Sequence, residues 1–201
     1  MSRSLPHSGA LAVLNGHASQ AGRRVVRELV DSFEYPDAHA EAVAELSARI
    51  AEQLDISREQ LRTLAVGALL HDVGKLTVDE RILAKPGPLD AAEWIHVRRH
   101  PDEGERLLRG ALTREALGVV RWHHERWDGD GYPDGLSGDE IPLGARIVAV
   151  ADAFCTMLEN RPYRAPVAPT EALSELERES GAQFDPSCVD ALMCVLGRKA
   201  A

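Results

Sequence analysis

Apolar residues recur along this chain at helical rather than alternating spacing, and helix-start signals fall where that spacing requires them. Val25, Val26, Leu29 and Val30 share one face of a helix beginning near Gln20, and Pro36 suits the first turn of a second helix running to about Leu54. Ser57 and Gln60 form a capping-box pattern ahead of Leu61, Leu64, Ala65, Ala68 and Leu69, which recur at the spacing of a third helix. Thr77 with Glu80 repeats the pattern before a short segment, and Lys85-Pro-Gly-Pro reads as a turn. Asp90 with Glu93 starts a helix reaching His100, where Pro101 removes a donor and crowds the preceding turn, so the helix ends or kinks there. Thr113 opens the helix that carries His123 and His124, and a loop with glycines at 129, 131, 135 and 138 follows. Pro142 leads into the run Ile147 to Leu158, apolar apart from Asp152 and Thr156. Two helices, about 170 to 180 and 186 to 197, close the chain, punctuated by Gly181 and by Asp185-Pro186. No segment alternates with period two, so the pattern predicts an all-α fold. Residues 1–19 lack period and read as a flexible tail carrying His7 and His17, with residues 20–201 as one helical domain.

Composition sharpens this picture in three ways. With 201 residues and 44% apolar content, the chain can bury one core. A net charge of −9 argues against binding along a nucleic-acid polymer, which needs many basic contacts to displace counterions; a small anionic ligand at a local cationic site stays allowed. Cys155, Cys188 and Cys194 are odd in number and form no CxxC, which suits a reducing cytoplasm and neither a disulfide framework nor a zinc knuckle. No apolar run approaches the ~20 residues that span a bilayer, and no signal-peptide core opens the sequence, so the expectation is a soluble protein that does not insert into membranes.

The candidate chemistry lies where apolar patterning is interrupted. The adjacent pair His123-His124 offers two imidazoles, the commonest protein donors to transition metals. A second pair, His71-Asp72, ends an apolar helix, where histidine beside carboxylate needs a charged partner or a cation. Asp152 sits in an apolar run, where an unpaired carboxylate is costly. His39 lies near a helix start and His100 just before Pro101, whereas His96 reads as an exposed helical residue. The set His39, His71, Asp72, His100, His123, His124 and Asp152 exceeds the needs of one tetrahedral ion and suits two ions of higher coordination, with Asp72 as the bridge. Imidazole and carboxylate donors without thiolate favour iron or manganese, and also accept zinc, nickel or cobalt. Two such ions about 3.5–4 Å apart suit phosphoester hydrolysis. Lys75, three residues after Asp72, would place positive charge at a phosphate oxygen.

Four segments together resemble the HD-GYP family, a branch of the HD-domain metal-dependent phosphohydrolases whose members hydrolyse cyclic di-GMP. They are His71-Asp-Val-Gly-Lys75, Lys85-Pro-Gly through His100-Pro, His123-His-Glu-Arg-Trp-Asp-Gly-Asp-Gly-Tyr-Pro133, and Val150-Ala-Asp-Ala-Phe154 before Arg161-Pro-Tyr-Arg164. The resemblance covers about residues 30 to 197. It implies an HD-type helical bundle with a metal centre in its core, and attack of a metal-bridging hydroxide that opens cyclic di-GMP to a linear dinucleotide, with GMP as a further product. It implies that His39, His71, Asp72 and Asp152 serve one metal, and Asp72, His100, His123 and His124 the other. Lys75, Tyr132, Arg161 and Arg164 would contact substrate, Asp72 and Lys75 being the catalytic pair. Diguanylate cyclase domains would dock on the Gly-Tyr-Pro loop, and a homodimer is compatible with the pattern.

Three departures qualify the resemblance. Tyr35 stands where some members carry a glutamate for a third metal, which leaves two; Ala42 replaces a frequent arginine, and Cys155 a second aspartate. The last two losses motivate an alternative, a catalytically weak module that binds cyclic di-GMP or signals. A further alternative keeps the hydrolase and changes the nucleotide. No receiver or sensory domain is read in the sequence, so regulatory input is expected through the N-terminal segment, an oligomer or a separate partner.

Overall fold

The computed structural model describes residues 37–160 and 165–197. The expected tail, the helix from Gln20, Tyr35, Arg161 and Arg164 lie outside the described residues. Among those described, the fold is helical, with a single isolated bridge between Ser180 and Phe184 in place of any sheet.

The first three helices are α1 (Ala38–Gln53), capped by the Asp37 carboxylate, α2 (Arg58–Leu70), and α3 (Glu80–Leu83). The Ser57–Gln60 capping box forms as the pattern requires, with both reciprocal bonds made. The Thr77–Glu80 box does not. Thr77 instead donates its hydroxyl to the Gly74 carbonyl inside a 3-10 turn (Val73–Thr77), and Asp79 caps the short α3. A threonine hydroxyl can bond back to a carbonyl of its own turn, and an adjacent aspartate is an equally good cap.

Asp90 and Glu93 form their box at the start of α4 (Ala91–Val97), but this helix stops before His100. His100 instead begins α5 (His100–Leu108), with Pro101 in its first turn. Proline is favoured there because the N–H it lacks has no helical partner in a first turn. The predicted end or kink at Pro101 is thus a break between two helices, falling just before His100. Thr113 caps α6 (Arg114–Trp122), and after the glycine-rich loop and a 3-10 turn (Gly138–Glu140) comes α7 (Leu143–Leu158). The chain continues through α8 (Pro169–Arg178) to α9 (Pro186–Val195), whose N-terminus Asp185 caps.

Helix α7 is central: Ala145, Ile147, Val148, Val150, Ala151 and Phe154 are buried, and it packs against α1, α6, α8 and α9. Apolar residues around so much of a helix leave it no solvent face to keep. Helix α1 lies against α2 and α9, α6 against α2 and α5, and the 3-10 turn after His71 against α5. This last contact brings two ends of the chain's helices so close that a Cβ on Gly74 would stand 1.9 Å from the His100 carbonyl oxygen and 2.6 Å from the Gly104 nitrogen. Both obstacles are backbone and cannot swing aside. Gly74→Ala is therefore expected to destabilise the protein by on the order of 3 kcal/mol, read as a fall in the denaturant midpoint; an unchanged midpoint would contradict this packing.

Candidate metal centre

The proposed donors sit at helix ends that the packing above drives together. His71 directly follows α2, Asp72 precedes the 3-10 turn, His100 opens α5, and His123 and His124 follow α6. His39 lies in the first turn of α1 and Asp152 in the middle of α7.

Three of the imidazoles are oriented in one way. His71, His100 and His123 each place Nδ1 against the carbonyl three residues earlier, on Ala68, Val97 and Val120, at 2.7, 2.8 and 2.8 Å. A carbonyl only accepts, so each Nδ1 carries the proton and each Nε2 presents a lone pair. These lone pairs face one another and the Asp72 carboxylate. The Nε2 atoms of His100 and His123 are 3.3 Å apart, and Asp72 Oδ1 lies 3.2 Å from the first and 3.8 Å from the second. Asp72 Oδ2 lies 3.4 Å from His71 Nε2. Acceptors at such distances repel unless a positive charge lies among them.

Two atoms mark the deficit: His71 Nε2 and Asp72 Oδ1 are buried without a hydrogen-bond partner. A desolvated acceptor left unpaired costs about 1–3 kcal/mol, more when charged. The donor chemistry fits a divalent cation. Ligand atoms of Asp72, His100, His123 and His124 all lie within 4.8 Å of one another, and so do those of His39, His71 and Asp72. Asp72 belongs to both groups. Asp152 belongs to neither: its Oδ1 meets His39 Nε2 at 3.0 Å and the Thr156 hydroxyl at 3.1 Å.

The proton affinities follow from this crowding. Burial first, then the neighbouring imidazoles, holds His123 well below the ordinary histidine value and His124 at about 3, so both rings are neutral. Burial opposes a charge on His39, yet Asp152 and Glu159 raise it to about 9; His71 is likewise raised, against its burial, by Asp72. Burial alone would raise Asp72, but Lys75 and His71 hold it well below the usual carboxylate range. The proton on His39 and the ammonium of Lys75 thus balance the carboxylates in part, a role that bound cations would take over.

Lys75 forms an ion pair with Asp72. Tyr132 stacks on His124 with centroids 4.9 Å apart and 22° between planes, and the Arg98 guanidinium lies 4.9 Å from the Tyr132 ring centre. His96 is exposed on α4, apart from the cluster. A cavity of about 330 Å³ opens beside the centre, bordered by His123, His124, Asp152, Thr156, Glu175 and Phe184.

Arg98, Glu125 and Glu159 went unnoticed in the pattern. Glu125 is only 4% exposed, and its carboxylate accepts from the backbone N–H groups of Asp134, Gly135 and Leu136 at 2.7, 3.1 and 3.2 Å. It ties the far side of the loop to the histidine pair, while the Tyr132 N–H donates to the His124 carbonyl at 3.2 Å. Its place directly after His124, ahead of a loop whose N–H groups need acceptors, was the available signal.

The HD domain model matches residues 23–188, and the chain belongs to that family, in the HD-GYP branch that the His-Asp pair and the Gly-Tyr-Pro loop define. It is 42% identical over 191 residues to the cyclic di-GMP phosphodiesterase response regulator RpfG of Xanthomonas campestris pv. campestris, a match covering 91% of this chain and 50% of that protein. It is 43% identical over 159 residues to the 3'3'-cGAMP-specific phosphodiesterase 3 of Vibrio cholerae serotype O1, covering 79% of this chain and 35% of that one. The chain thus spans half or less of the length of these relatives. The structure of Bd1817, a HDG"Y"P protein from Bdellovibrio bacteriovorus, shares the fold with a TM-score of 0.67 at 20% identity, covering 88% of this chain and 61% of that one.

Glu125→Ala removes an acceptor shared by three backbone donors. It is expected to cost about 1–3 kcal/mol and to accelerate amide hydrogen exchange at Asp134, Gly135 and Leu136 ahead of the helical core. Exchange at wild-type rates would show that the loop is held by other contacts.

Proposed function

We propose that this domain is a metal-dependent phosphodiesterase that opens cyclic di-GMP to a linear dinucleotide, with GMP as a further product. The observation that carries the reading is Asp72, whose carboxylate lies in both groups of converging donors and keeps a buried oxygen without a partner. In this reading His39, His71, Asp72 and Asp152 hold one divalent ion, and Asp72, His100, His123 and His124 hold the other. Iron or manganese suits the donor set best, and zinc, nickel or cobalt is also accepted. Such ions, when bound, supply an activated water and neutralise charge gathering on phosphorus.

The chain's own groups would do the rest. The bonds from Nδ1 to backbone carbonyls hold three imidazoles with their lone pairs inward, so little reorganisation is needed on binding. Lys75, already paired with Asp72, would hand its ammonium to a non-bridging phosphate oxygen. Tyr132, braced by His124 and Arg98, would pack against the substrate at the edge of the centre. Arg161 and Arg164 are proposed as further substrate contacts, and the Gly-Tyr-Pro loop as a contact for diguanylate cyclase domains. Hydrolysis breaks one phosphorus–oxygen bond; the oxygen of water joins phosphorus and a proton passes to the departing sugar oxygen.

A second reading rests on the Vibrio relative, whose name specifies 3'3'-cGAMP at a similar level of identity. Cyclic di-GMP, 3'3'-cGAMP and cyclic di-AMP offered to the same preparation separate the two. The primary reading expects manganese- or iron-dependent turnover of cyclic di-GMP ahead of the others, and preference for 3'3'-cGAMP would favour the second. Asp72→Ala is expected to reduce turnover of every substrate to background; retained activity would remove Asp72 from the mechanism.

Because these donors converge only in the folded chain, cations should stabilise it. With free ion about 100-fold above its Kd the gain is about 2.7 kcal/mol. Chelation is expected to lower Tm and restored manganese to recover it, and a Tm indifferent to both would count against the site.

A further inference from the structure

His39 differs from the other imidazoles in how its Nδ1 is satisfied. His71, His100 and His123 use the carbonyl three residues earlier. His39 lies in the first turn of α1, two residues after the N-cap Asp37, and the corresponding position precedes the helix. Its Nδ1 instead meets Glu159 Oε1 at 2.5 Å, across 120 residues of sequence. Glu159 is the residue at which α7 ends, with extended backbone, and it stands seven positions, two helical turns, beyond Asp152. The middle and the end of one helix therefore grip the two sides of the His39 ring: Asp152 faces Nε2 at 3.0 Å and Glu159 faces Nδ1.

This grip decides which nitrogen can serve a cation. Nε2 is the His39 atom turned toward the cluster, at Asp152, and the His39 and His71 rings are 5.8 Å apart. For Nε2 to present a lone pair, the single proton of a neutral ring must reside on Nδ1, and an acceptor must be there to keep it. We infer that Glu159 is the positioning residue for His39: its carboxylate accepts the Nδ1 proton, fixes the rotation of the ring and aims Nε2 at the cation shared with His71 and Asp72. The inference rests on the metal reading above and adds to it a residue outside the donor set. Carboxylates behind ligating histidines raise ligand basicity, and their loss typically weakens metal binding by about 10–100-fold. The effect should be confined to one ion, because Glu159 faces His39, which shares a donor group with His71 and Asp72 and not with His100, His123 and His124.

Manganese titrated into the metal-free full chain, followed by calorimetry, tests this with wild type, Glu159→Ala and Glu159→Gln. Wild type should take up two ions. Glu159→Ala should bind one as wild type does and the other about 10–100-fold more weakly. Glu159→Gln, whose amide oxygen still accepts a proton, should recover most of that loss. Two unchanged affinities in Glu159→Ala, or equal weakening of both, would overturn the role of Glu159 while leaving the two-ion reading intact. A wild type that binds no manganese would overturn that reading, and this inference with it.

Discussion

The arrangement depends on one electrostatic constraint: lone pairs of several imidazoles and both oxygens of Asp72 are aimed into the same small volume, with a carboxylate oxygen and a ring nitrogen left unpartnered. In a packed interior that convergence is unfavourable unless positive charge is supplied. Protonated His39, with Lys75, supplies it in part. Such a site sets affinity for cations against stability of the empty fold, which is the usual coupling of metal binding to folding.

The fold meets this constraint by stopping helices rather than by bending them. Helix α2 ends just before His71, α5 starts at His100 and α6 ends just before His123, so three backbone termini point at one place. Gly74 lets two of them touch, and any side chain there would collide with the backbone of α5. Helix α7, buried along much of its length, is the fixed rod against which the centre is built; it contributes Asp152 from its middle and Glu159 from its end. The edge of the centre is then left to the loop, which Glu125 pins by three backbone hydrogen bonds and which sets Tyr132 on His124.

Much of this was legible in the chain because it is local. The boxes at Ser57–Gln60 and Asp90–Glu93 appear as written, since each is complete within four residues. The box at Thr77 failed because two capping residues compete within one turn, and spacing alone does not rank Asp79 above Thr77. Histidines beside acids or ending apolar runs pointed to a cation, and His39, His71, Asp72, His100, His123 and His124 do form two groups of converging donors joined by Asp72. Asp152 shows the limit: its apolar run marks it as needing a partner, but only packing reveals that the partner is His39. Glu159 and Arg98 left no mark in sequence, because an exposed-looking acid at a helix end, or an arginine two residues before a histidine, gains meaning only from contacts with distant residues.

Anomalous diffraction from crystals of the manganese-loaded protein addresses the central claim most directly. The account predicts two peaks about 3.5–4 Å apart with Asp72 between them, one beside His39 and His71 and the other beside His100, His123 and His124. A single peak, or peaks remote from Asp72, would contradict it.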